Sequence, residues 1–60
     1  MSSGKYILRR TDTLEYDTND DEQAWTSYRN KAYVWNMKCY AKDQADDLMA
    51  DGIATEILEV

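Results

Sequence analysis

A single cysteine, Cys39, and the lack of histidine limit how this chain of 60 residues can be held together. Such a composition can form neither an intrachain disulfide nor a histidine-containing zinc site. A domain of this size buries only about 60% of the surface that its unfolded chain exposes, so its stability margin is small. Small folds compensate with disulfides, metals or oligomerisation. We therefore expect one domain, residues 1–60, that forms a homodimer or larger homo-oligomer.

The same composition favours a soluble protein of a reducing cytoplasm. One cysteine is typical of proteins without disulfides, and no run of 18 apolar residues could cross a membrane. The opening Met-Ser-Ser-Gly is short and polar, so residues 1–4 are expected to form a flexible N-terminus without a targeting function. We expect no membrane partner.

Charge follows the chain in four blocks, with a net value of −5. Residues 1–10 carry +3 and residues 23–42 carry +4, whereas residues 11–22 and 43–60 carry −6 each. Net negative charge repels the phosphates of DNA and RNA, so direct nucleic-acid binding is not expected. The simplest explanation of the acidic blocks is a solvated surface that keeps the protein soluble.

The first half of the chain predicts a β-hairpin and a loop. Residues 5–10, "KYILRR", are rich in strand-forming side chains and contain no breaker. A turn at 11–12 separates them from residues 13–17, "TLEYD", in which Leu14 and Tyr16 share one face. Residues 17–24, "DTNDDEQA", are polar without an apolar period and predict an acidic loop.

The second half predicts a strand, a helix and a strand. Residues 31–36, "KAYVWN", form the expected third strand, entered through one helical turn with Ser27 as its cap. A helix at about 38–51 is predicted by an apolar stripe with helical spacing, formed by Ala41, Ala45, Leu48 and Met49. Asn36 is its expected N-cap and Gly52 its expected C′ residue. Residues 53–60 complete an α+β fold: a small four-stranded antiparallel or mixed sheet of order β-β-β-α-β, with one helix packed on one face.

An uncovered aromatic face follows from that order, because one helix covers only one side of a sheet. In the third strand, Ala32 and Val34 are small enough to lie beneath the helix, so Tyr33 and Trp35 would point to the opposite side. Exposed patches of this kind usually mark interfaces. Stacking of bases on these rings would also need a positive groove, which Arg9 among others could supply.

Motifs of catalysis and of metal binding are incomplete. Asp17, Asn19 and Asp21 match the first ligands of a calcium loop, but Glu22 replaces its glycine and Tyr28 its final glutamate. Without histidine, the cysteine and serine residues lack the usual base of a nucleophilic site. We therefore expect no enzyme activity and no cofactor.

The helix carries a stripe of four carboxylates that spans an arc of about 140° away from its apolar stripe. This acidic stripe consists of Asp43, Asp46, Asp47 and Asp51. Like charges at i, i+4 oppose helix formation, and so do acids near its C-terminus. A stripe placed against local preference could be a solvated face, a rim that steers a basic partner, or a mimic of nucleic-acid phosphates.

The layout of residues 5–60 resembles that of many very small phage and prophage proteins. Trp25, Thr26, Ala32 and Trp35 fill the places of a Trp-Thr/Ser pair, a following alanine and an aromatic that closes a strand. The helix start "NMKCYAKDQ" departs from the Ser-Glu-Glu opening usual in those proteins. The resemblance implies a phage context, in which tiny acidic proteins commonly bind and modulate a host protein.

These observations together predict a non-enzymatic protein-binding module that modulates or inhibits a host protein, with defence factors and basic or nucleic-acid-binding proteins as candidate partners. Trp35, Tyr33 and Trp25 would anchor the partner, with Arg29 as a polar anchor, since Trp, Tyr and Arg most often dominate binding energy. The acidic stripe would steer a basic partner. A mimic of DNA that uses the stripe itself, and a homo-oligomeric scaffold, are the alternatives.

Overall fold

A computed structural model describes residues 4–60, so residues 1–3 of the predicted flexible N-terminus lie outside the described range. The elements are β1 (Tyr6–Arg10), β2 (Tyr16–Asp17), β3 (Trp25–Thr26), a 3-10 turn (Arg29–Lys31), α1 (Lys38–Ala50) and β4 (Thr55–Glu59). The four strands form one antiparallel sheet in the order β3-β2-β1-β4. The prediction of a small α+β fold of order β-β-β-α-β is confirmed.

The β1–β4 ladder forms the centre of the fold. All five residues of β1 pair with β4, and the central pairs join Ile7 to Leu58 and Leu8 to Ile57. Successive side chains of a strand point to opposite faces, yet Ile7 is 1% exposed and Leu8 0% exposed. Both faces of the sheet are therefore covered at its centre.

The hairpin between β1 and β2 is looser than predicted. Leu14 adopts a positive φ of 63° and its N–H donates to the carbonyl of Arg10, so it belongs to the turn and is exposed. The predicted strand 13–17 is thereby reduced to Tyr16 and Asp17. The expectation that Leu14 shares a strand face with Tyr16 was wrong, because the turn takes up more residues than the pair at 11–12.

The third strand lies earlier than predicted. Trp25 pairs with Asp17 of β2, and the N–H of Thr18 donates to the carbonyl of Ala24, so the β2–β3 hairpin closes around residues 18–24. The acidic loop is thus one residue shorter than expected, since Asp17 belongs to β2. The helical turn that follows is preceded by Tyr28 and has no side-chain cap, which corrects the assignment of Ser27.

Residues 31–36, the predicted third strand, instead start in the 3-10 turn and then cross the edge of β1. Tyr6 and Trp35 form an isolated antiparallel bridge and exchange both backbone hydrogen bonds, of 2.9 and 2.7 Å. The N–H of Tyr33 donates to the carbonyl of Asp17. The end of β2 and this extended segment therefore share one edge of β1.

The helix ends as predicted but begins differently. Its N-cap is Met37, without a side-chain hydrogen bond, so Asn36 does not cap it. At the other end Gly52 takes a φ of +83°, and the N–H groups of Gly52 and Ile53 donate to the carbonyls of Met49 and Leu48. This is a Schellman motif, in which glycine supplies the left-handed conformation without strain.

The side of α1 that packs on β1 and β4 comprises the fully buried Ala41 and the half-buried Gln44, Ala45 and Leu48. Met49, which was expected in the buried stripe, is exposed. Gln44, which was not part of that stripe, is half-buried. Within residues 4–60, α1 is too short and too polar to cross a bilayer.

Candidate protein-interaction surface

The uncovered aromatic sheet face predicted from the sequence is absent from the described residues. Bridge partners in an antiparallel pair share a face, so Trp35 lies on the face of Tyr6 and, by alternation, of Leu8. By the same pairing Asp17 and Trp25 lie on that face, and they line one cavity with Gln44 and Leu48 of α1. Trp35 therefore lies on the side that the helix covers, not opposite to it.

Large apolar side chains are nevertheless exposed in the segment that leads into the helix. Tyr33, Val34, Met37 and Tyr40 are 41%, 42%, 51% and 55% exposed. We call these four residues the apolar segment. They fall within eight residues of chain, in a molecule whose fully buried apolar side chains are few. The sequence analysis did not identify Met37 and Tyr40 as exposed residues. Both lie in or beside the predicted helix, and neither was assigned to one of its faces.

Tyr33 and Trp35 form a ring pair, with centroids 4.5 Å apart and planes inclined by 62°. This edge-to-face arrangement is a favourable aromatic geometry. Trp35 is half-buried, and its indole N–H is inaccessible and has no hydrogen-bond partner among residues 4–60. Tyr33 is thus the more accessible ring of the pair, and Trp35 packs against it.

The other two predicted anchors lie apart from this pair. Trp25 lies in the edge strand β3 and is half-buried, with the guanidinium of Arg10 5.0 Å from the centroid of its ring. Arg29 is exposed in the 3-10 turn. The structure therefore brings Tyr33 and Trp35 together, whereas Trp25 lies in β3, on the other side of β2.

Two basic residues that could have lined a nucleic-acid groove are used within the sheet. Arg9 forms an ion pair with Glu56 of β4, and Arg10 forms one with Asp12 of the turn. The guanidinium of Arg10 lowers the pKa of the Asp12 carboxyl. Their charge is thereby compensated locally.

The acidic stripe is fully presented to solvent. Asp43, Asp46, Asp47 and Asp51 are all exposed, and within residues 4–60 none of them has an ion-pair partner. At 100° per residue, Asp47 and Asp51 lie on the same flank of α1 as Tyr40. The apolar segment therefore adjoins the acidic stripe at Tyr40.

A cavity of about 280 Å³ lies between the acidic loop and the part of α1 that carries Gln44 and Leu48. Its lining comprises Asp17, Asn19, Asp20, Asp21, Ala24, Trp25, Gln44, Leu48 and Ile53. Three carboxylates, one indole and two amides thus surround it. The sequence analysis considered Asp17 and Asp21 for calcium, but the pairing of β2 with β3 that places them opposite the helix was not predicted.

Asp17 is the unusual member of this lining. It is 4% exposed; Oδ1 accepts a hydrogen bond of 2.9 Å from the N–H of Asn19, and Oδ2 is buried without a partner among residues 4–60. Burial raises the pKa of this carboxyl above its ordinary value, and the bond from Asn19 offsets only part of that effect. The carboxylate is therefore desolvated and incompletely satisfied.

Comparisons with known proteins do not assign a function to this surface. In the part of the chain from residue 4 onward, no three acidic or cysteine side chains converge closely enough to hold a metal ion. No protein-family model, curated protein or solved structure matches the chain.

Proposed function

We propose that this protein is a non-enzymatic binding module that recognises another protein through the apolar segment. The observation that carries the proposal is the exposure of Tyr33, Val34, Met37 and Tyr40 by 41% to 55% within eight residues. Aromatic and methionine side chains are enriched at the centres of protein interfaces, where they lose contact with water on binding. Tyr33 has the additional support of Trp35, so its ring is held in place before binding.

The partner is a protein with a basic surface. The flank of α1 beside Tyr40 carries Asp47 and Asp51, which are exposed and without ion-pair partners among the described residues. Complementary charge accelerates encounter and disfavours acidic partners. The resemblance to small phage proteins adds a context, in which the partner is a host protein of the cytoplasm and binding modulates or inhibits it.

A mimic of DNA is the second candidate, supported by the four uncompensated carboxylates of the acidic stripe. The two candidates respond differently to salt. Recognition through carboxylates alone weakens steeply as ionic strength rises, whereas apolar docking weakens little. A partner affinity that falls by less than tenfold between 50 and 500 mM salt favours the apolar segment.

Self-association through the same segment is the scaffold alternative. Sedimentation over a dilution series distinguishes it, because a chain of 7.0 kDa that remains monomeric at every concentration leaves the segment free for a foreign partner. A dimer that is lost in a variant of the apolar segment supports a scaffold instead.

The decisive experiment pairs two double variants. Met37→Ser with Tyr40→Ser removes two side chains of the apolar segment; Met49→Ser with Leu14→Ser removes two that are 56% and 57% exposed elsewhere. A photo-crosslinker at position 37 identifies the partner in lysate of the producing cell, and titration calorimetry with the purified partner measures affinity.

We expect the first variant to bind at least tenfold more weakly, since buried aromatic anchors contribute about 2 kcal/mol or more. The control is expected to stay within twofold of the wild type. Both variants should unfold within about 0.5 kcal/mol of the wild type, because exposed positions contribute little to stability. Equal affinities for the two variants would refute the assignment of the surface.

A further inference from the structure

We propose that the outer edge of β4 is the interface of a homodimer, in which β4 pairs antiparallel with β4 of a second copy across a two-fold axis. In the order β3-β2-β1-β4, the strand β4 has a neighbour only on the side of β1. Among residues 4–60, no strand or bridge pairs with its other side. The inference goes beyond the proposed function, because the apolar segment meets β1 at the opposite edge, where Trp35 bridges Tyr6.

The backbone of β4 directs hydrogen-bonding groups to this open edge. In an antiparallel pair, alternate residues bond the neighbouring strand and the residues between them point away from it. At one end of the ladder between β1 and β4, the carbonyl of Ala54 accepts from the N–H of Thr11. By alternation Glu56 also bonds β1, whereas the N–H and carbonyl groups of Thr55 and Ile57 point to the open edge.

β4 lacks the features by which soluble proteins protect an edge strand, which include proline, lysine, a bulge and a very short strand. Its sequence is "TEILE", and all five residues pair with β1 in one continuous register. The carboxylate of Glu56 is compensated by its ion pair with Arg9. The other edge strand, β3, has only two residues and is protected by its shortness. A long, regular edge of strand-forming residues is a template for another strand.

The sequence of β4 is compatible with a second copy of itself in one register. A two-fold axis through Ile57 pairs all five residues of both strands: Ile57 with its own copy, Glu56 with Leu58, and Thr55 with Glu59. No like charges then lie directly opposite each other, whereas an axis through Glu56 would oppose two glutamates. At the axis the two Ile57 residues exchange a pair of backbone hydrogen bonds. These features favour a second copy over a foreign strand.

One flank of α1 faces the same edge. Gln44 lines the cavity beside β2 and β3, so the opposite flank of the helix faces the outer side of β4. At 100° per residue, this opposite flank carries Lys42 and Met49, and Met49 is 56% exposed. Asp47 and Asp51 lie on the far flank, away from the axis. The side that faces the second copy is therefore the less acidic one.

The helices of the two copies would pack against each other. α1 packs on both β1 and β4, so a helix centred over these strands lies two strand spacings, about 10 Å, from its symmetry mate. Packed helices are ordinarily separated by about 8–10 Å. Met49 is thereby covered by the flank of the second helix, and the dimer has one continuous sheet of eight strands with both helices on one face.

The first test is the oligomeric state in reducing buffer. Sedimentation equilibrium from about 10 µM to about 1 mM should show a monomer of 7.0 kDa in equilibrium with a dimer, since an interface of two edge strands and two helix flanks is small and therefore weak. A lone monomer throughout this range would overturn the proposal. So would larger assemblies, because pairing about a two-fold axis closes at two copies.

Isotope-filtered NMR on a mixture of ¹³C-labelled and unlabelled protein tests the register. The axis through Ile57 makes Glu56 and Leu58 of the second copy a non-hydrogen-bonded pair, in which the α-protons are in contact. Within one copy the α-carbons of these residues are about 7 Å apart, so the contact reports only on the dimer. Intermolecular contacts from Tyr33 or Met37 in its place would refute the assignment to β4.

Thr55→Pro removes an outward N–H and leaves the ladder with β1 intact, because proline is tolerated at the first residue of an edge strand. It should weaken dimerisation at least tenfold. Thr55→Val keeps the N–H and is the matched control, expected within twofold of the wild type. Chemical N-methylation of Ile57 removes the other outward N–H without changing a side chain, and it should also weaken the dimer at least tenfold. A dimer that survives in both blocked proteins contradicts the proposal.

The apolar segment supplies the last control. The double variant Met37→Ser with Tyr40→Ser should dimerise within twofold of the wild type, because both residues lie outside the edge of β4. Loss of the dimer in that variant would assign self-association to the apolar segment and overturn the proposal. Failure of the β4 dimer leaves the test of the apolar segment intact, and failure of the apolar segment leaves the dimer intact.

Discussion

The two halves of the sheet differ in length and in chemistry. On one side, β1 and β4 pair over five residues, and Ile7 and Leu8 at the centre of β1 are buried. On the other, β2 and β3 have two residues each, and their buried side chains are those of Asp17 and Thr26. The first half holds the fold together, and the second half positions polar groups around a cavity.

This division is a familiar compromise in small proteins. Burial of apolar surface is the main stabilising contribution, and a chain of 60 residues has little of it to spare. Polar groups that bind a partner destabilise the fold least in segments with few apolar contacts. Segments of low local stability commonly carry binding functions for this reason. The contrast leads to three predictions about stability.

The largest expected effect is that of Leu8→Ala. Leu8 is fully buried between the sheet and α1, so its truncation should cost about 3 kcal/mol and leave the domain marginal or unfolded. Leu14→Ala, at an exposed position in the turn, is the matched control and should change the free energy of unfolding by less than about 0.5 kcal/mol. Urea denaturation followed by tryptophan fluorescence measures both. Equal losses would contradict the division into two halves.

A smaller effect is expected in local opening. Amides in the ladder between β1 and β4 should exchange with solvent at least tenfold more slowly, after correction for intrinsic rates, than the amide of Thr18, which bonds Ala24 across the β2–β3 hairpin. Hydrogen exchange followed by NMR gives the residue-specific values. Uniform protection across the sheet would indicate one cooperative unit without a weaker half.

The smallest effect concerns Asp17 and has a defined sign with pH. Burial raises the pKa of its carboxyl above 3.8 in the folded state, so the folded protein holds a proton that the unfolded chain has released. Stability is therefore lost as pH rises from about 3.8 through the raised pKa. Asp17→Asn lacks this loss and should be more stable than the wild type at pH 7, by up to about 1 kcal/mol.

The advantage of Asp17→Asn should shrink as the pH is lowered through the raised pKa, and it should level off below 3.8, where the wild-type carboxyl becomes protonated in both states. Urea denaturation at a series of pH values measures the difference, and Asp21→Asn is the exposed control. An advantage that is independent of pH would indicate that charge burial is not its cause.

Local sequence patterns predicted the elements that depend on local physics. Strand β1 follows from a run of strand-forming residues, and the end of α1 follows from Gly52, which alone can take the left-handed conformation there without strain. The β-β-β-α-β order was also predicted, although its third strand was placed at residues 31–36 and not at Trp25–Thr26. Patterns also indicated that the helix acids would be solvated.

The third strand and the aromatic face were not predictable in this way. "KAYVWN" has the composition of a strand, but Tyr6 offers only one bridge to Trp35, since the end of β2 occupies the rest of that edge of β1. Trp25 and Thr26 form the strand instead, because the Thr18–Ala24 closure brings them beside β2. Pairing between distant residues decided the outcome over propensity.

The amino-acid order by itself determined the class of the fold, the position and C-terminus of the helix, and the acidic character of its outer side, since periodicity, capping and charge are properties of neighbouring residues. The tertiary structure alone decided which aromatic rings are accessible and which carboxylate is withdrawn from water. Tyr33 and Asp17 acquire these properties from strand pairing and register, and register depends on contacts between segments far apart in the chain.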